Sequence, residues 1–228
     1  MTGTPRSYQD PCGIARALDA VGERWALLVV RELLHGAKRF AALQQGLPGI
    51  SPNVLAQRLR ELEATGVLHR RELDPPAAVT VYELTDRGAA LEPVLLSLGA
   101  WGRHQPLTTD RPLGPDALLV ALRTTFSPAR AATLDVRLDL TLSGARYTVT
   151  VRAGALAIHR GAADTLAAPF HGRPPAHPRA CLALTTDAAT LRELAFGRRD
   201  LADALAGGEA TLTGPRKTAE RLLRAFRP

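Results

Sequence analysis

Hydrophobic positions between residues 39 and 88 recur first with a helical period and then with an alternating one. Leu55, Leu59 and Leu62 are spaced four and three residues apart, so they predict one buried stripe on a helix that ends at Gly66. A shorter helix is predicted over residues 39–46. Two alternating segments follow the second helix, and they predict a pair of short strands over residues 67–73 and 79–84.

The segments that connect these elements have the residues expected of turns and helix starts. Residues 47–50 (Leu-Pro-Gly-Ile) form a tight turn, after which Ser51 can cap the second helix and Pro52 can fill its first position. Residues 74–78 contain two prolines, which suit a connection between strands and not a hydrogen-bonded ladder. The order helix, turn, helix and hairpin predicts a winged helix-turn-helix, which is a DNA-binding fold.

Three polar side chains, Asn53, Gln57 and Arg60, lie opposite the leucine stripe of the second helix. Asn and Gln match adenine with two hydrogen bonds, and Arg matches guanine in the same way. All three belong to the helix that enters the major groove in proteins of this fold. A polar helix face is often merely solvated, but here the turn, the cap and the wing all favour base recognition.

Phosphate contacts would position the protein on DNA without reading its sequence. Cations open the first helix of the motif and flank the hairpin, and a helix N-terminus attracts phosphate by itself. The residues expected to contact phosphates are Lys38, Arg39, Ser51, Arg58, Arg70 and Arg71.

Further helices are predicted on both sides of the motif, over residues 11–21, 24–34 and 86–102. The last of these contains an apolar stripe made of Leu91, Val94, Leu95, Leu98 and Trp101. A three-helix core with a two-stranded wing has little use for so much additional apolar surface. We therefore expect this helix to contribute to a dimer interface.

Residues 10–104 resemble the HxlR family of bacterial winged-helix regulators. The resemblance depends on Cys12, residues 22–25 (Gly-Glu-Arg-Trp), Arg39-Phe40, residues 47–51, Leu55, residues 58–63, Gly66, residues 82–85, Gly88 and Trp101. It implies a homodimer that binds a pseudo-palindromic operator in double-stranded DNA. One recognition helix would then occupy each half-site, with the half-sites about one helical turn, roughly 34 Å, apart.

The resemblance also gives Cys12 a possible role, because the matching cysteine senses oxidants or electrophiles in some members of the family. Such chemistry needs a thiolate, and the predicted helix N-terminus at Cys12 would lower the pKa of its thiol. The alternative is that Cys12 packs as a small apolar residue.

The second half of the chain begins after a proline-containing linker, residues 105–115, and a predicted helix over residues 116–125. Alternation is clearest over residues 134–142, and turns at 143–144 and 153–154 would make a three-stranded antiparallel meander. The predicted register places Leu140 beside Tyr147, Leu138 beside Val149, Val136 beside Val151 and Asp135 beside Arg152. The third strand would place Leu156 beside Val151 and Ile158 beside Val149.

The remaining elements complete an α+β domain over residues 116–228, in which helices cover one face of a mainly antiparallel sheet. Strands are predicted over residues 180–184 and 209–213, and helices over residues 187–196, 200–206 and 215–226. The meander turn at 152–156, the helical pair around Gly197 and residues 208–214 resemble the sterol-carrier-protein domain, which encloses an apolar tunnel for lipids or other hydrophobic molecules. The candidate pocket residues are Leu138, Leu140, Tyr147, Val149, Ile158, Leu191, Leu194 and Phe226, and the alternative for each is ordinary core.

Charge changes this picture only slightly. Most of the net charge of +7 lies in the second half, since residues 1–106 contain 12 Lys and Arg against 11 Asp and Glu, and residues 107–228 contain 17 against 11. DNA affinity must therefore depend on where the cations of the first half lie, and not on a global field.

Other chemistry is not indicated by the sequence. The two cysteines, Cys12 and Cys181, have no metal or disulfide spacing, and we expect no metal at His171 and His177. There is no nucleophile elbow, phosphate loop or apolar run of membrane-spanning length, so we expect neither an enzyme nor a membrane protein, no cofactor, and a cytoplasmic location.

The function that these features favour is a homodimeric transcription regulator, which we expect to be a repressor, controlled by a hydrophobic effector bound in the second domain. One alternative is a redox or electrophile sensor that switches through Cys12. Another is a lipid carrier whose winged helix mediates protein contacts.

Overall fold

The computed structural model describes residues 7–73, 79–161 and 178–227. The chain divides into two compact units, Met1–Leu95 and Leu96–Pro228. The division falls inside a helix, and residues 106–114 beyond that helix have no regular secondary structure.

The first unit has the element order of a winged helix-turn-helix. Its elements are α1 (Gly13–Val21), α2 (Ala26–Leu33), α3 (Phe40–Gly46), α4 (Pro52–Ala64), β1 (Leu68–Glu72), β2 (Thr80–Leu84), α5 (Asp86–Ala89) and the start of α6 (Glu92–Gly102). Strands β1 and β2 are antiparallel, with Arg70 opposite Tyr82. The predicted connection over residues 74–78 lies outside the described residues.

The core of the first unit forms around the predicted leucine stripe. Leu55, Leu59 and Leu62 of α4 are all buried, and they share one cluster with Val29 and Leu43 of the preceding helices. Burying three leucine side chains contributes roughly 1.5–3 kcal/mol each, which is enough to fix the rotation of α4 about its axis.

The single long helix predicted over residues 86–102 is wrong, because the chain forms α5 and α6 with a break between them. Thr85 caps α5, accepting a hydrogen bond from the Gly88 N–H at 3.1 Å. Pro93 has no N–H to donate to the carbonyl four residues earlier, so α5 cannot continue through it, whereas proline is tolerated in the first turn of a new helix. The helix therefore restarts at Glu92.

A buried ion pair joins α2 to the segment before α3. Glu32 and Lys38 are both buried, and the Lys38 Nζ lies 2.6 Å from the Glu32 Oε2. The Arg31 Nη2 lies 2.8 Å from the other oxygen of the same carboxylate. The Lys38 backbone also exchanges two hydrogen bonds with Tyr82, so this residue attaches the wing to the helical core.

The second unit contains one five-stranded sheet. Its elements are α7 (Pro115–Thr125), α8 (Pro128–Ala131), β3 (Asp135–Leu142), β4 (Ala145–Arg152), β5 (Ala155–Arg160), β6 (Ala180–Thr186), α9 (Ala188–Ala195), α10 (Leu201–Ala206), β7 (Ala210–Thr213) and α11 (Arg216–Arg224). The strand order is β5-β4-β3-β6-β7, and every neighbouring pair is antiparallel except β3 and β6. Helix α8 and the parallel pair were not predicted.

The meander has the register that the sequence predicts. Leu140 pairs with Tyr147 and Asp135 with Arg152, and Ile158 lies beside Val149 on the third strand. Both two-residue turns have positive φ at each position, 49° and 82° at the first turn and 47° and 79° at the second, and a glycine at the second position of each relieves the strain. The aliphatic face of this sheet packs against α7, α9 and α11 in one hydrophobic core.

We expect Glu32→Gln to lower the free energy of unfolding of the first unit by about 3 kcal/mol, because it leaves the Lys38 ammonium buried beside a neutral amide. Adding Lys38→Met should restore most of this loss. Urea unfolding followed by Trp25 fluorescence, in a Trp101→Phe background, measures both. Glu63→Gln on the exposed side of α4 is the control, with a change within about 0.5 kcal/mol. If the Glu32→Gln variant is as stable as this control, the ion pair between Glu32 and Lys38 does not stabilise the first unit.

Candidate nucleic-acid interface and apolar cavity

The start of α4 is fixed by the residues that the sequence indicated. The Ser51 side chain accepts a hydrogen bond from the Val54 N–H at 3.3 Å, and Pro52 occupies the first helical position. Ser51 itself is exposed. A cap of this kind typically stabilises a helix by about 1 kcal/mol.

The three predicted base-reading residues, Asn53, Gln57 and Arg60, are exposed on α4. Two of them are hydrogen-bonded to each other, since the Arg60 Nη2 donates to the Gln57 Oε1 at 2.6 Å. The Gln57 Nε2 in turn donates to the Glu61 Oε1 at 2.7 Å. The structure therefore brings Gln57 and Arg60 together, while Asn53 stands one turn earlier at the N-terminal end.

Lys38 is wrongly predicted as a phosphate contact. Its ammonium group is buried against Glu32, and only 3% of its side chain is exposed. A phosphate could reach it only after the ion pair opened and the wing attachment moved. The positive charge of Lys38 is paired with the carboxylate of Glu32 inside the first unit.

Arg58 is also wrongly predicted as a phosphate contact. Its side chain is 11% exposed, and its Nη1 bonds to Glu61 and lies 3.7 Å from the Glu23 Oε2. Arg58 thus connects α4 to the loop between α1 and α2. Its Nη1 is occupied by carboxylates, and little of the side chain is exposed to solvent.

The remaining predicted cations are accessible. Arg39 is exposed at the N-cap position of α3, and Arg70 is exposed on β1. Neither pairs with a carboxylate in the part of the chain that the structure describes. Arg71 is partly exposed, and its Nε lies 3.1 Å from the Glu83 Oε2 on the neighbouring strand. Arg39, Arg70 and Arg71 remain candidates for phosphate contacts.

An apolar cavity of about 30 Å³ lies between the sheet and the helices of the second unit. Six of the eight candidate pocket residues line it, namely Leu138, Leu140, Val149, Ile158, Leu191 and Phe226. Tyr147 and Leu194 are buried in the core but are not among the lining residues. The volume would hold only one or two water-sized groups and is far below the roughly 300–1,000 Å³ of ligand pockets.

Cys12 is exposed at the N-cap position of α1. Hydrogen bonding from the backbone N–H of Ile14, and then from that of Ala15, lowers the pKa of the Cys12 thiol below its ordinary value. The predicted helix N-terminus at Cys12 is therefore present. The alternative, that Cys12 packs as a small apolar residue, is wrong.

A metal centre or a membrane span would need specific features among the described residues. No group of three or more His, Cys, Asp or Glu side chains there is arranged to hold a metal ion. His171 and His177 lie outside the described residues. No helix in the described ranges is long and apolar enough to cross a membrane.

Comparisons with known proteins match the first unit. The model of the HxlR-like helix-turn-helix family matches residues 20–109. The HTH-type transcriptional regulator YvaP of Bacillus subtilis is 41% identical over 87 residues, which are 38% of this chain and 80% of YvaP. The chain belongs to the HxlR-like helix-turn-helix family.

Other HxlR-like relatives match a similar share of the chain. YodB of Bacillus subtilis, a transcriptional regulator, is 36% identical over 85 residues, which are 37% of this chain and 76% of YodB. The solved structure of its reduced form covers 43% of this chain and 98% of that chain, at 33% identity and a TM-score of 0.38. The oxidized form of the redox regulator HypR covers 42% of this chain and 100% of that chain, at 33% identity and a TM-score of 0.39.

Membership of the HxlR-like family makes this chain a transcriptional regulator with a helix-turn-helix for DNA. The matching family model ends at residue 109, so the sterol-carrier resemblance of the second unit stays a prediction.

Sequence reasoning missed Glu23 and Glu61, the two carboxylates that contact Arg58. The spacing of Glu61, three residues after Arg58 and four after Gln57, is a signal for both of its contacts on one helix face. No comparable signal exists for Glu23, because its contact with Arg58 joins residues 35 positions apart in the sequence.

Because thiolate is the reactive form of cysteine, a lowered pKa should make Cys12 react with iodoacetamide at a lower pH than an ordinary thiol of pKa about 8.5. We expect the midpoint of the rate against pH, measured in a Cys181→Ser background, to lie below that value in the folded protein. Unfolding in urea removes the helix N-terminus and should return the midpoint to the ordinary value. Equal midpoints in the folded and unfolded protein would exclude the backbone effect.

Proposed function

We propose that this chain is a homodimeric repressor that reads a pseudo-palindromic DNA operator with one α4 helix in each half-site. The observation that carries this proposal is the division of α4 into two faces. Its leucines are buried in the core, and Asn53, Gln57 and Arg60 are exposed on the opposite face of the helix expected to enter the major groove.

Phosphate binding would depend on a few cations, because charges of the first half nearly balance. Arg39 and Arg70 are exposed and available, and Arg71 can exchange its contact with Glu83 for a phosphate. Ser51 is exposed at the N-terminus of α4, where its hydroxyl and the positive end of the helix dipole favour an anion. These positions give affinity without sequence preference.

Dimerisation is supported by the apolar surface of α6. Val94 is 52% exposed, Leu98 47% and Trp101 65%, although all three are large hydrophobic residues on one helix of eleven residues. Exposed apolar stripes of this kind are typical of subunit interfaces. An α6 helix from a second copy of the chain would cover them.

We propose that the second unit receives the signal as a hydrophobic effector. Support comes from the apolar cavity at the positions that the sequence indicated, between α11 and the sheet. Because the cavity is small, a ligand must displace α9 or α11 to enter. An effector that prefers the state incompetent for DNA weakens operator binding by the same coupling free energy, typically 1–3 kcal/mol.

A second candidate is a redox or electrophile signal received by Cys12. The exposed thiol and its lowered pKa favour this function, and the relative HypR is a redox regulator. In this candidate the second unit only supports the dimer. The lipid-carrier alternative lacks support, since it gives the exposed trio on α4 no role.

We expect Arg60→Ala to relax the preference for one base pair, at a cost of roughly 1–3 kcal/mol for the preferred sequence, because a guanine contact is lost. Arg70→Ala should instead weaken the binding of all sequences about equally. It should also reduce the slope of the logarithm of the binding constant against the logarithm of the salt concentration by about one unit. A preferred sequence is first selected from randomised duplex DNA with the wild-type protein. The affinities of the wild type and of both variants for this sequence, for its single-base variants and at several salt concentrations then measure both effects. Identical sequence profiles for the two variants would overturn the assignment of Arg60.

We expect cis-parinaric acid, a fluorescent fatty acid, to bind the protein saturably and to release the selected DNA. Ala219→Leu fills part of the cavity and should weaken this binding at least about tenfold, whereas Ala183→Leu, on the exposed side of β6, should not. No saturable binding would count against the effector. If an oxidant releases DNA from the wild type but not from Cys12→Ser, and the fatty acid has no effect, the second candidate is correct.

A further inference from the structure

A continuous series of polar contacts joins side chains of α4 to one another and to the loop between α1 and α2. It begins at Glu23 in the loop between α1 and α2, passes through Arg58 and Glu61, and ends at Gln57 and Arg60. The last two residues are those assigned to base recognition, whereas the first three were not expected to act together.

Arg58 is the centre of this series. Its guanidinium is mostly buried and meets a carboxylate of its own helix and one of the preceding loop. The same loop contributes Trp25, whose ring lies against Gly49 in the turn before α4, 3.9 Å from the position that a Cβ would take. The loop thus contacts α4 on its side and at its start.

Glu61 orients the amide of Gln57. Because a carboxylate only accepts hydrogen bonds, it selects the Nε2 of Gln57 and turns the Oε1 toward Arg60. One Nε2–H and one lone pair of the Oε1 remain free. These are the donor and the acceptor that a bidentate contact with adenine requires.

Arg58 makes this arrangement compatible with DNA. Glu61 alone would place an uncompensated negative charge beside the phosphates and the groove, which disfavours binding. The Arg58 guanidinium neutralises that charge from the protein side. It also holds Glu61 in the rotamer that meets Gln57.

We propose that Arg58 and Glu61 are positioning residues for base recognition: they fix the orientation in which Gln57 and Arg60 meet the base edges, without touching DNA themselves. This inference rests on the proposed function of α4 as the recognition helix. The base preference of Gln57 and Arg60 would then depend on the ion pair between Arg58 and Glu61.

The test is selection from a pool of randomised duplex DNA by the full-length wild type and by Glu61→Gln, Arg58→Met and Arg58→Lys. Glu63→Gln, which removes a carboxylate two residues further along the same helix, is the matched control. Sequencing of the bound fraction gives a base preference at each position. Thermal unfolding of every variant shows whether the fold is kept.

We expect Glu61→Gln and Arg58→Met to lose about tenfold of the preference at the base pairs read by Gln57 and Arg60, with the preference at the Asn53 position unchanged. Arg58→Lys, which keeps the charge, should recover part of it. NMR relaxation of the Arg60 side-chain N–H groups, measured without DNA, should show a more mobile side chain in Glu61→Gln and an unchanged one in Glu63→Gln.

Two outcomes would overturn the inference alone. In one, Glu61→Gln and Arg58→Met select the wild-type sequence with unchanged preference. In the other, they lose preference equally at every position, as expected if Arg58 only supports the fold. If the wild type itself selects no sequence, the proposed function fails first and the inference fails with it.

Discussion

The burial of one side of α4 is the constraint on which the candidate interface depends. Leu55, Leu59 and Leu62 are held in the core by roughly 1.5–3 kcal/mol each, so the helix cannot rotate without exposing them. Successive residues of a helix turn by about 100°, and the opposite face is therefore fixed as well. The polar trio is presented to solvent because the leucines are not, and the Ser51 cap determines where along the chain this presentation begins.

Elements that depend on local chemistry could be predicted from the sequence. The meander register follows from two tight turns whose second residue is glycine, and both turns and both registers are confirmed. The break before α6 was missed because the apolar stripe continues through it, although Pro93 removes the hydrogen bond that a continuous helix needs. The parallel pairing of β3 with β6 was missed because its paired residues, such as Val136 and Ala180, are 44 positions apart, and no local pattern specifies such a pair.

The candidate site shows the same division between local and distant information. Exposure of Asn53, Gln57 and Arg60 followed from helical periodicity, whereas the positions of Lys38 and Arg58 did not follow from their charge. A cation on a DNA-binding motif can meet a phosphate or a carboxylate, and the sequence does not say which partner is near. Lys38 meets Glu32 and Arg58 meets Glu61, with Glu23 further away, so two of the six expected phosphate contacts take part in ion pairs within the first unit.

The two candidate signals place different demands on the fold. An effector in the second unit must enlarge a cavity of about 30 Å³ by separating packed aliphatic side chains, which requires a favourable ligand contact for each one that is lost. A change at Cys12 acts at the surface of α1, whose following loop contains Glu23. However, the Glu23 Oε2 lies 3.7 Å from Arg58 and its side chain is 57% exposed, so this pair is worth less than about 1 kcal/mol. A coupling of 1–3 kcal/mol exceeds that value. A signal received at Cys12 therefore cannot act through this ion pair alone.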